Sequence, residues 1–211
     1  ALELRLIAGT SAQARKTFGR VEAEIARIEA TASLYRDSAL VRLNRDGHLA
    51  HPSPGLLHLL GLADQIHRAT DGIFDPTVQP LWRAIATGGD IASARALIGW
   101  DRVTIRQEEL RLAPGQALTL NGIAQGWAAD RIAAIVREAG YGDALIDMGE
   151  VQALGQSAGG RSWQARIADV GGRPIRTIGL SNRALATSAP FGSRIGTQEA
   201  AHILGPQGQP A

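Results

Sequence analysis

Residues 118–130 read LTLNGIAQGWAAD, placing Asn121, Gly122, Gln125 and Gly126 within six positions. A glycine lets the backbone approach a ligand closely or take a positive φ angle. Free N–H groups at a helix start favour an anion there. Neither common phosphate fingerprint is present. A dinucleotide fold needs G-x-G-x-x-G, and a P-loop needs Gly-Lys-Ser/Thr where this chain has Gly126-Trp127. Two readings follow from the pattern: a tight strand-to-helix turn with Asn121 as an N-cap-like residue, or a backbone approach to a phosphate.

Three further stretches carry reactive side chains. FDPT at 74–77 sets the Asp75 carboxylate beside the Thr77 hydroxyl, although Asp-Pro-Thr is also an ordinary turn. Asp147 and Glu150 in LIDMGEV end an expected inner strand, where mixed sheets carry ligand residues. A lone carboxylate pair is equally what a solvated rim provides. The five histidines are scattered. His58 and His67 fall on a leucine-rich helix, as surface or core-edge residues, and His202 falls in the strand-like run AAHILGP. No Ser-His-Asp order or metal-ligand spacing stands out. The absence of cysteine excludes disulfides, thiolate metal sites and cysteine nucleophiles.

Elements must position these groups, and the chain is long enough to build them. It has 211 residues, 45 % hydrophobic and 20 % charged, an ordinary globular composition. A net charge of +2 gives no basis for nucleic-acid binding. No apolar run reaches membrane-spanning length. The chain opens directly on the strand-like LELRLIAG, so a leader removed ahead of it is one expectation. It closes on the turn-forming HILGPQGQPA, so a missing C-terminal segment is another.

Leu2, Leu4 and Leu6 alternate with polar residues at strand period. From Ser11 the period becomes helical: Phe18, Val21, Ile25 and Ile28 form an apolar face, with Arg20 and Glu24 on the outer one, and the helix ends near Ala32. Residues 33–44 read as irregular. Ser53-Pro54 reads as N-cap and first residue of a leucine-faced helix stopped by Asp71-Gly72. Residues 72–82, with two prolines, read as loop or short turns. Asp90 caps a short helix through Leu97. WDRVTI, ELRLA and ALTL read as short strands, followed by the glycine loop, a helix over 127–139 and the strand ALIDM. VQALG, WQARIA, IRTIGL and ALATS continue as strands. Helices early and strands late predict an α+β fold.

Six stretches, in order, resemble the ApbE family of FAD:protein FMN transferases, and most closely its NosX-like branch. They are SLYRDSALVRLN, TDGIFDPTVQPLW, LTLNGIAQGWAADRIA, LIDMGEVQALG, ALATS and HILGP, and the likeness covers nearly the whole chain. The resemblance implies a single ApbE-like domain over 1–211 lacking its C-terminal segment. It implies a mixed-sheet α+β fold with helices clustered in the N-terminal half and FAD held between two subdomains. The implied reaction moves FMN from FAD to a threonine or serine hydroxyl of a target flavoprotein, depends on Mg2+ and releases AMP. Alternatives on the same site are a non-catalytic FAD-binding carrier or assembly protein, and a pyrophosphatase giving FMN and AMP. The implied compartment is the periplasm, and the acceptor includes membrane-associated flavoproteins.

Residue by residue, the resemblance implies that Tyr35 stacks on the flavin nucleotide and that Asn44, Asp75, Thr77, Glu150 and Ser188 contact FAD. Gln125 and Gly126 lie at the phosphates, and the Gly122 backbone carbonyl meets magnesium. His202 and Thr187 are the expected catalytic residues. This chain departs from the family where Gln125 replaces the usual lysine, Gly205 the aspartate of the HIIDP motif, and Ala189 the glycine after Thr187-Ser188. The family's final aspartate and threonine, which complete the metal site, have no counterpart in these residues.

Overall fold

The computed structural model describes residues 3–169, 171–197 and 199–210, so the expectation for Leu2 lies outside the described residues. Six helices occur among them: α1 (Ser11–Ala32), α2 (Ala39–Asp46), α3 (Pro54–Ala69), α4 (Gln79–Thr87), α5 (Ile91–Ala96) and α6 (Asn121–Glu138). The strands are β1 (Glu3–Leu6), β2 (His48–Ala50), β3 (Thr104–Ile105), β4 (Glu109–Arg111), β5 (Ala144–Asp147), β6 (Val151–Leu154), β7 (Trp163–Ala168), β8 (Pro174–Leu180), β9 (Arg183–Leu185), β10 (Arg194–Ile195) and β11 (Ala200–Ala201). The fold is α+β. No helix among the described residues is long and apolar enough to cross a membrane. The chain divides into two compact units: residues 1–27 with 124–187, and residues 28–123 with 188–211.

The first unit is built on an antiparallel sheet in the order β1-β5-β6-β9. Strand alternation sorts its side chains between two clusters. Ala144 and Ile146 of β5 and Leu154 of β6 join Val21 of α1 and Ile132, Ala133 and Val136 of α6. Leu145 and Ala153 join Trp163, Ala165 and Leu180 of the β7–β8 hairpin instead. The sheet therefore carries helices on one face and the hairpin on the other, with both clusters out of water. Gly140 takes φ +87° just past α6, and the following Tyr141 N–H donates to the Val136 carbonyl, which turns the chain directly into β5.

Glu24 departs from its expected place on the outer face of α1. It is 4 % exposed and receives the Arg131 guanidinium at 2.8 Å, with Arg27 on its other oxygen. Arg20 pairs instead with Glu138. Phe18 of the expected apolar face is 39 % exposed.

The second unit contains α2–α5, a sheet in the order β2-β4-β3 and the β10–β11 pair. Its helix starts follow local chemistry. Ser38 accepts from Val41 N–H, Ser53 from Leu56 N–H and Asp90 from Ala92 and Ser93 N–H. Residues 33–44 are thus not irregular throughout: the Ser38 cap starts α2 within them. Residues 72–82 include a 3-10 turn over Pro76–Val78 and the start of α4, where Pro80 sits in the first turn and interrupts no hydrogen bond. ALTL is not a strand: Ala117, Leu118 and Leu120 are buried outside any ladder. The expected glycine loop is not a loop either, because α6 begins at Asn121, six residues before the expected start. Burial of alternate apolar residues produced a strand-like period in a segment that pairs with nothing.

Candidate functional site

In the second unit, the FDPT turn is organised around one buried carboxylate. Asp75 Oδ1 accepts from the Thr77 backbone N–H at 2.8 Å and from its hydroxyl at 2.6 Å. The Thr77 hydroxyl also accepts from Gly99 N–H at 2.8 Å. Asp75 is 7 % exposed and Thr77 fully buried. This Asp-Thr pair caps the 3-10 turn and ties it to residue 99. Asp75 Oδ1 is therefore committed to the fold, and Oδ2 is the oxygen free of those bonds.

Phe74 of the same turn reaches Gly122. A Cβ built on Gly122 would stand 3.2 Å from Phe74 Cε2, so a side chain there would press on the ring. Gly122 is exposed in the first turn of α6. A helical carbonyl keeps a second lone pair after its ladder bond, which leaves the Gly122 oxygen a ligand's worth of acceptor capacity. Asn44 has another task. Its amide donates to the Leu118 carbonyl at 2.8 Å and accepts from the Leu118 N–H at 2.7 Å. Asn44 thereby fixes the strand-like segment that leads into Asn121-Gly122.

Tyr35 is 83 % exposed, so its ring is largely open to solvent. His202 Nδ1 lies 3.0 Å from the Pro190 carbonyl and 2.9 Å from the Ser193 carbonyl. Carbonyls only accept, so Nδ1 carries the hydrogen and Nε2 presents the lone pair. The Trp82 indole N–H donates to the His202 carbonyl at 3.1 Å and holds the backbone behind the ring. Gly205, where the family has aspartate, is crowded: an added Cβ would meet Gln209 Nε2 at 2.4 Å. An aspartate there requires that amide to swing away. Ser188 is exposed, and its hydroxyl has no hydrogen-bond partner among the described residues.

In the first unit, Glu150 and the α6 glycine are neighbours. A Cβ on Gly126 would lie 3.2 Å from Glu150 Oε2, so the glycine makes room for that carboxylate. Gln125 is exposed, and its Nε2 lies 3.5 Å from the Met148 carbonyl, a long contact that leaves the amide available. Asp147 Oδ1 accepts from Gly149 N–H at 2.9 Å and shapes the turn that brings Glu150 back. Thr187 follows β9, exposed, its hydroxyl unpartnered among the described residues.

The structure thus brings together Asp75 with Thr77, Phe74 with Gly122, and Gly126 with Glu150. It shows Asn44 and Asp75 Oδ1 as framework groups. Sequence reasoning missed Phe74, Trp82, Pro190 and Ser193 as supports, because two backbone carbonyls and a ring edge leave no signature in residue type. Among the described residues no group of three His, Cys, Asp or Glu side chains could hold a metal. Those residues therefore supply no protein-only carboxylate or imidazole cage for a divalent cation.

A family model described as the ApbE family matches residues 4–211. The chain is 24 % identical to the FAD:protein FMN transferase of Klebsiella pneumoniae over 94 % of its own length and 64 % of the relative's. It is 25 % identical to the FAD:protein FMN transferase of Salmonella typhimurium over 81 % of its length and 56 % of the relative's. The chain therefore spans less than two thirds of either relative. Its fold is similar to that of the flavin transferase ApbE from Vibrio cholerae, with a TM-score of 0.83 at 24 % identity, covering 99 % of this chain and 74 % of that one.

Proposed function

The chain belongs to the ApbE family, and from that premise we propose that it transfers the FMN half of FAD to a threonine or serine hydroxyl of a target flavoprotein. The acceptor oxygen bonds to the FMN phosphorus, the bridging P–O bond breaks, and AMP leaves with the bridging oxygen. The hydroxyl proton goes to His202 Nε2. The single observation that carries this reading is the double carbonyl hold on His202 Nδ1, which leaves Nε2 as a fixed proton acceptor. Tyr35 stacks on the nucleotide, Gln125 donates to a phosphate oxygen, and the Gly122 carbonyl would hold Mg2+. When bound, that ion supplies positive charge to the pyrophosphate. Thr187 and Ser188 offer free hydroxyls to the substrate. The reaction belongs to the periplasmic side in this proposal, with membrane-associated flavoproteins among its acceptors. Fractionation of the full gene product checks that placement.

Incubation of the full-length protein with FAD, Mg2+ and a flavoprotein domain bearing the acceptor threonine should yield covalent flavin on the acceptor. Acceptor that stays unmodified while FAD is bound supports a second reading, an FAD-binding carrier. That reading is favoured by Gln125, which donates a hydrogen bond but carries no charge to offset a phosphate. Gln125→Lys separates the two: it speeds transfer in an enzyme and produces no turnover in a carrier.

A further inference from the structure

We infer that His67 is a positioning residue for the nucleotide site, acting through the backbone of Phe74. The inference rests on the proposal that Asp75 and Gly122 line that site. His67 lies in the last turn of α3, half-buried, with its ring 6.3 Å from that of Trp100. Its Nδ1 is 2.8 Å from the Phe74 carbonyl. Because a carbonyl only accepts, Nδ1 is the protonated nitrogen in this contact. The Asp75 Oδ2 that the FDPT turn leaves free stands 4.0 Å from the same Nδ1.

Thr70 completes the hold from the other side. Its hydroxyl accepts from Phe74 N–H at 3.1 Å and donates to the Ile66 carbonyl at 2.9 Å. Both polar groups of the Phe74 backbone are therefore fastened to the end of α3 by side chains. Nothing about strand or helix formation requires this, since Phe74 belongs to neither. The consequence falls on two site features at once. Asp75 is the next residue, and the Phe74 ring is the surface on which the bare backbone of Gly122 rests. Fastening Phe74 thus sets where the Asp75 carboxylate and the Gly122 carbonyl stand relative to each other. A displacement of one ångström at such groups is costly to a reaction that depends on alignment.

The test uses full-length protein and FAD binding followed by flavin fluorescence. His67→Phe keeps a ring beside Trp100 and removes the donor, while His67→Asn returns an N–H close to the Nδ1 position. The expected result is about a fivefold to tenfold weaker FAD affinity for His67→Phe, the loss of one hydrogen bond, with recovery to within about twofold in His67→Asn. The KM for FAD should rise by the same factor. Thr70→Val removes the second fastening and should weaken FAD binding to a similar degree, and it decides the matter if His67→Phe fails to fold. Wild-type affinity in His67→Phe, or in Thr70→Val, overturns the inference, as does an asparagine variant no better than the phenylalanine one. A wild-type protein that binds no FAD instead sinks the proposed function, and hydrogen exchange at the Phe74 and Asp75 amides then decides the fastening alone: faster exchange in Thr70→Val upholds it and unchanged exchange overturns it.

Discussion

His202 is the residue on which chemistry and structure meet most closely. Its Nδ1–H is spent on two carbonyls, so only Nε2 is left for a substrate proton. An asparagine at this position keeps an N–H for those carbonyls and loses the base of the proposed reaction. His202→Asn should therefore fold and bind FAD as the wild type does, while transfer falls by about a hundredfold to ten-thousandfold. Single-turnover rates and FAD titrations on the same preparation check both halves. The sequence singles out this histidine only through the order of motifs around it. Its tautomer was not legible there, because the Pro190 and Ser193 carbonyls that fix it are backbone groups any residue supplies. Asn44 shows the opposite case. The resemblance implied that it contacts FAD; in the fold its amide engages the backbone of a residue 74 positions away, a pairing no local pattern encodes.

Elements were read well where local chemistry sets them and poorly where burial does. The α1 bounds, the Ser53-Pro54 start of α3 and the Asp90 cap of α5 follow from caps and period alone. The α6 start was read too late because Leu118 and Leu120 alternate as a strand would. They are buried in a segment that Asn44 holds straight without a ladder. Asn44→Ala strands the N–H and C=O of buried Leu118 and should cost about 2–3 kcal/mol in urea denaturation. Glu24 was misplaced for a related reason: its partner Arg131 is 107 positions distant, while the misleading Arg20 is one turn away.

A second contact at this scale makes a pH dependence. The Trp100 indole donates to Asp64 at 3.0 Å and, with Arg68 adding to it, holds that carboxyl below its ordinary value of 3.8. The folded state then binds fewer protons than the unfolded one near that value. The stabilisation is present above about pH 3.8 and is lost as pH falls through the lower folded value. Asp64→Asn should flatten the fall in stability between about pH 5 and pH 3 relative to wild type, as read by denaturation monitored with circular dichroism.

At the scale of the molecule, the α+β class was visible in the drift from helical to strand period along the chain. The bounds of the two compact units were not. Residues 1–27 belong with 124–187, and residues 28–123 with 188–211, so each unit is discontinuous in sequence and exists only through long-range contacts. The candidate residues were singled out by the order of six motifs along the chain, each of them weak alone. The most direct test of flavin transfer is the balance of products from full-length protein, FAD, Mg2+ and an acceptor domain. One AMP released for each flavin fixed covalently to the acceptor, with neither formed when the acceptor threonine is replaced by valine, is the result predicted. AMP released without covalent flavin, or neither product in the presence of bound FAD, would contradict it.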